Sequence, residues 1–146
     1  MRFDMLRAAL GANALFSATT GTIIASSPTA VSQWIGHPYP LTLRIIGAGL
    51  IVFAAVLAAV TVRRQRAITI PVLICAADLL WVFGTIVMVV VWPGAFSAHG
   101  WIVVAAVAAV VLLLGVTQYA GLIEWCRAPG TDASAMRRIC LRYAVP

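Results

Sequence analysis

The residue best placed to do chemistry is Asp78, one of four carboxylates in the chain, set among Val, Ile and Leu in the apolar run from Ile68 to Trp92. It stands about eleven residues into that run, near the centre of a segment long enough to cross a bilayer. A central Asp costs about 2.5–3.5 kcal/mol on the insertion scale, which the surrounding Val, Ile and Leu can offset. Such residues turn toward the bundle interior and find partners there. Helical spacing puts Cys75, Asp78, Val82 and Thr85 on one face, with Trp81 beside it.

Two amides lie at compatible depths. Asn13 falls in the run Leu6 to Ser26, and Gln118 in the run Trp101 to Trp125. With Ser17 and Thr117 they form an expected intramembrane polar cluster of Asn13, Ser17, Asp78, Thr117 and Gln118. Arg44 enters from the opposite side, so pairing it with Asp78 would require its side chain to reach inward. Two chemistries compete for the cluster. One is a hydrogen-bonded packing network that fixes helix register, with Asp78 protonated or bound by amides. The other is a proton or substrate site, the default reading of an intramembrane carboxylate. A lone carboxylate with neutral amide partners favours the packing network.

Other chemistries lack their residues. The three cysteines, Cys75, Cys126 and Cys140, form no C-x-x-C, and none is placed for a disulfide in an oxidising compartment. The two histidines, His37 and His99, both fall in loops on the side opposite the termini, without the further ligands a metal needs. No paired aspartates or Ser–His arrangement stand at membrane depth, and no phosphate-binding or dinucleotide motif is present. The expectation is a protein without catalysis, cofactor or metal.

These residues must be positioned by helices in lipid. The chain is 63% hydrophobic and 10% charged, with a mean hydropathy of +1.04, against about 25% charged in soluble domains. A soluble fold of 146 residues could not hide that much apolar surface. Four windows meet the spanning length of roughly 20 residues: Leu6 to Ser26, Leu41 to Val62, Ile68 to Trp92 and Trp101 to Trp125. The fold class expected is an all-α four-transmembrane-helix bundle over residues 1–125, followed by a polar tail over 126–146. The connections are Ser27 to Pro40, the charged Arg63 to Ala67, and Pro93 to Gly100.

All ten basic residues are arginine, giving a net charge of +6. Arg2, Arg7, Arg63, Arg64, Arg66, Arg127, Arg137, Arg138 and Arg142 fall at the two ends and in the middle loop, leaving Arg44 alone on the other side. The positive-inside rule then puts both termini in the cytoplasm. The arginine-only, Ala- and Val-rich composition points to a bacterium with a GC-rich genome and thus to the inner membrane. Trp34, Tyr39, Trp92 and Trp101 cluster at the outer ends of spans and Trp125 at an inner end, as interfacial aromatics do. The first span resembles a signal peptide in its flanking arginines, but its apolar run exceeds the usual 7–15 residues and contains Asn13, Ser17, Thr19 and Thr20.

Small residues offer close helix packing: Asn13, Ser17, Gly21 and Ala25 at four-residue steps, Ala54–Ala58, Ala55–Ala59, Ala105–Ala109, Gly115 and Gly121. In the tail, Asp132 can cap a short helix over Ala133 to Tyr143 that places Arg137, Arg138 and Arg142 beside an apolar face, suited to anionic lipid or an acidic partner; a frayed tail that only fixes topology is the alternative. The arginines form no aromatic-interleaved basic face, so nucleic acid is not an expected partner.

The stretch LRAALGANALFSATTG (Leu6 to Gly21) with ADLLW (Ala77 to Trp81) resembles a group of small bacterial four-helix integral membrane proteins. The resemblance covers the spans and not the tail. It implies the four-helix fold and no particular activity. The small multidrug exporters are similar in size but place an essential glutamate in their first span, where this chain has Asn13. The expected role is an accessory or scaffolding subunit packed against larger membrane proteins, the alternative being a small transporter or lipophilic-ligand binder that uses the Asp78 cluster.

Overall fold

A computed structural model describes the backbone of residues 2–62 and 69–127 and the side chains of residues 5–62 and 70–124. The basic turn at Arg63 to Arg66 and the tail helix expected over Ala133 to Tyr143, with Arg137, Arg138 and Arg142, lie outside the described residues. The described chain is all-helical: α1 (Arg2–Ser26), α2 (Pro28–Ile35), α3 (Pro40–Val62), α4 (Thr69–Val91) and α5 (Ala98–Arg127), with a 3₁₀ turn at Pro93–Ala95. All but α2 are long and apolar enough to cross a membrane, the make-up of a multi-pass membrane protein.

Prolines punctuate the loop end of the bundle, opposite the termini. Ser27 leaves helical geometry at φ −133° and ψ 52° because Pro28 follows it, and Pro28 then opens α2 at a position where its missing N–H costs nothing. Gly36 closes α2 in the left-handed region at φ 73°. Pro40 starts α3, and Pro93 follows the end of α4. The connection expected over Ser27 to Pro40 is therefore not all loop. Its Pro-bounded middle forms a helix of two turns that buries Ser32 and Ile35 and leaves Trp34 exposed at the rim.

The long helices do not pack evenly. α1 packs extensively on α3 and also on α5, α5 packs on α4, while α3 and α4 barely approach each other. α1 and α4 stand on a diagonal of the bundle, with no close backbone approach. At the terminal end Leu6, Leu10, Leu57, Ile74, Cys75 and Leu122 fill the space between helices. Elsewhere large apolar side chains such as Leu15, Ile45, Leu80 and Leu113 point outward, as lipid requires.

The tightest helix contact joins α1 to α3. A Cβ on Gly47 would stand 2.7 Å from the Ala25 nitrogen and 2.8 Å from the Gly21 oxygen. The four-residue stripe on α1 thus serves two neighbours, because each such step turns the face by about 40°. Asn13 and Ser17 point into the bundle, whereas Gly21 and Ala25 meet α3. Of the Ala pairs on α3, Ala54 is buried, and Ala55, Ala58 and Ala59 are exposed. Ala105 and Ala109 are exposed too, and α5 instead uses Gly121, whose Cβ would lie 3.1 Å from Leu6 Cα.

Gly47→Val is expected to lower bundle stability by about 1–3 kcal/mol through overpacking. Gly49→Val, two residues along the same helix where a Cβ meets nothing within 4 Å, should stay within about 0.5 kcal/mol of the parent. Unfolding by SDS in mixed micelles compares the two; equal losses would place the contact elsewhere.

Candidate functional site

The polar side chains of α1, α4 and α5 meet inside the bundle. Counted from the terminal end, Asn13 stands eleven residues into α1, while Asp78 and Gln118 are each nine residues from the ends of α4 and α5, so all three lie roughly 13–16 Å deep. Asn13 Nδ2 donates to Asp78 Oδ2 at 2.7 Å, and Gln118 Nε2 donates to the same oxygen at 3.0 Å. Ser17 Oγ donates to Asn13 Oδ1 at 3.2 Å. All four residues are buried, Gln118 completely.

Each helix supplies a reason for this arrangement. Asn13 and Ser17 are one turn apart, so the hydroxyl reaches back to the amide and holds it with its nitrogen toward α4. Gly115 lets α4 come close, its Cβ position lying 3.6 Å from Asp78 Cβ. The Cys75 thiol donates to the Gly115 carbonyl at 3.4 Å, adding a second tie between α4 and α5. The carboxyl oxygen accepts from both amides, and the Asn13 bond spans the diagonal that the backbones leave open.

Thr117 does not join the cluster. Its hydroxyl bonds the Leu113 carbonyl of its own helix, the usual recourse of Thr in a transmembrane helix. One residue on a helix is a turn of about 100°, which carries Thr117 off the face that Gln118 occupies. Arg44 is exposed on α3, and the hydrogen-bond partners of Asp78 are the two amides. Arg7 has a role that charge counting hid: its Nε donates to the Thr61 carbonyl at 3.2 Å, capping the last turn of α3.

A second polar assembly lies at the loop end. The Ile35 carbonyl accepts from both Ser97 N at 2.9 Å and Ser97 Oγ at 3.0 Å, and Gly100 N donates to Ser97 Oγ at 3.1 Å. His37 Nδ1, 3.1 Å from the Ala95 carbonyl, carries the hydrogen of that contact, and its ring stacks on Phe96 at 5.0 Å. The Trp101 indole donates to the Pro93 carbonyl at 2.8 Å. Gly36 and Gly100 permit this closure: a Cβ on Gly36 would meet Ser97, and one on Gly100 would overlap the Ile35 carbonyl. His99 is exposed, and among the described residues no three His, Cys, Asp or Glu converge.

No family profile, curated protein or solved structure matches this chain.

Asp78→Leu leaves the Asn13 and Gln118 N–H groups without their acceptor, an expected loss of about 0.6–1.7 kcal/mol for each. Asp78→Asn keeps an acceptor of the same shape and should unfold close to the parent. Steric trapping in bicelles measures both; a loss for Asn as large as that for Leu would mean that the ionised carboxylate carries the bonding.

Proposed function

We propose that the protein is a non-enzymatic accessory or scaffolding subunit of the bacterial inner membrane, packed against larger membrane-protein partners, with both termini in the cytoplasm. The observation that carries this reading is the uneven packing of α4. Every residue from Ile86 to Val91 is exposed, on all sides of the helix, while α3 scarcely approaches. Gly84 on α4 and Gly49 on α3 have open space where a Cβ would project. These open faces suit a transmembrane helix of a larger subunit, since helices in lipid associate through small residues and close backbone approach. The tail residues Arg137, Arg138 and Arg142 add attachment to an acidic neighbour or anionic lipid.

A second reading, a small transporter or lipophilic-ligand binder, has its own support in the buried Asp78 cluster. In the scaffold reading that cluster locks helix register and no solute passes.

Two experiments test the proposal. In a cysteine-free background, single cysteines at the exposed Gln33 and Ala98 should react with an impermeant thiol reagent on intact cells, and cysteines at Gln65 and Ser134 should not. The reverse pattern would invert the orientation. Native purification in mild detergent, followed by mass measurement of the intact particle, should return a complex with larger membrane subunits. A free monomer or homodimer, together with proton-coupled uptake in liposomes that requires Asp78, would replace the scaffold with the transporter.

A further inference from the structure

Gln118 is wholly buried, and its side-chain oxygen has no hydrogen-bond donor. Its nitrogen meanwhile donates to Asp78 Oδ2 at 3.0 Å. The two atoms hang on one carbon, so the orphaned oxygen lies beside the same carboxyl group. Buried acceptors are rarely left in this condition, least of all in hydrocarbon.

The neighbouring donors are already engaged. Ser17 Oγ serves Asn13 Oδ1, the Cys75 thiol serves the Gly115 carbonyl, and the Thr117 hydroxyl serves the Leu113 carbonyl. Among the described residues, neutralising charges are likewise distant from the site. On α1, Arg7 is held at the Thr61 carbonyl near the terminal end; on α3, Arg44 is exposed near the loop end. On α5, Tyr119 and Glu124 are both exposed, and α4 contributes only the Cys75 thiol.

Exchanging the oxygen and nitrogen of Gln118, which are assigned from the bonding network, does not remove the difficulty. The amide oxygen would then face Asp78 Oδ2, acceptor against acceptor, and again lack a hydrogen. One addition completes either orientation. We propose that Asp78 and Gln118 form a buried proton-binding site, in which Asp78 as a neutral carboxylic acid donates its O–H to the Gln118 oxygen and accepts the Gln118 N–H. Binding forms the carboxyl O–H bond and cancels one negative charge; no other bond changes. A sodium ion would supply the same charge, but it requires several oxygen ligands, and Asn13, whose oxygen is held by Ser17, turns an N–H donor toward Oδ2. The bound proton ties α4 to α5 by a second bond, on a helix that has few contacts with α3.

Infrared spectroscopy of the full chain in lipid nanodiscs, at neutral pH in sodium-free potassium buffer, tests the site. Carbon-13 labelling of aspartate carboxyls should shift a protonated-carboxyl C=O band, which assigns it without mutation. That band should vanish in Asp78→Asn and move to higher frequency in Gln118→Leu, where the O–H loses its acceptor. Adding sodium should leave it unchanged. Only ionised carboxylate bands in the labelled protein would overturn the proposal, as would a protonated band that sodium abolishes, which would make the site a cation site instead.

Discussion

A carboxyl group in the middle of hydrocarbon has no water to turn to, so its partners must come from facing helices. In this bundle they come from two helices at once. The Asn13–Asp78 bond runs across a diagonal where the backbones of α1 and α4 do not approach, and the Gln118 bond runs to the neighbour α5. α4 lacks an extensive contact with α3, so its position depends on α5, on the apolar cluster around Ile74 and Cys75, and on this polar centre. The approach of α4 to α5 rests in turn on Gly115, opposite Asp78 Cβ.

The two ends of the bundle are held by different physics. At the terminal end, leucines from α1, α3 and α5 pack with Ile74 and Cys75 of α4, and Arg7 closes the last turn of α3. At the loop end, backbone carbonyls of Ile35, Ala95 and Pro93 are satisfied by Ser97, His37 and Trp101, which meets the demand that polar backbone near lipid be satisfied internally. Toward the loop end of α4, Ile86 to Val91 keep an exposed surface that the fold itself does not use. That surface supports the scaffold proposal, and the polar centre keeps ligand binding as the competing reading.

Much of the fold was legible because span length and apolar runs are strong signals in a membrane chain. The meeting of Asn13, Ser17, Asp78 and Gln118 was legible for a related reason: few polar residues enter the spans, and matching depth restricts which of them can pair. Thr117 shares that depth, but its hydroxyl is short enough to be satisfied by its own helix. Helix α2 was hidden because a run rich in Ser, Thr and Pro has turn-like composition, although Pro28 and Gly36 stand at its start and end positions. The exposed Ala55, Ala58 and Ala59 show that small residues permit close approach without compelling it. Gly47 was hidden because its partner depends on how far the α1 face turns between Asn13 and Gly21.

Asn13 and Asp78 bond directly across the bundle and so hold α4 in place. A double-mutant cycle with Asn13→Leu and Asp78→Leu, read by unfolding in bicelles, measures that bond apart from each residue's other effects. The expected coupling is about 0.6–1.7 kcal/mol, from the average to the largest found for hydrogen bonds between transmembrane helices. Additive losses, with no coupling between the two positions, would contradict it.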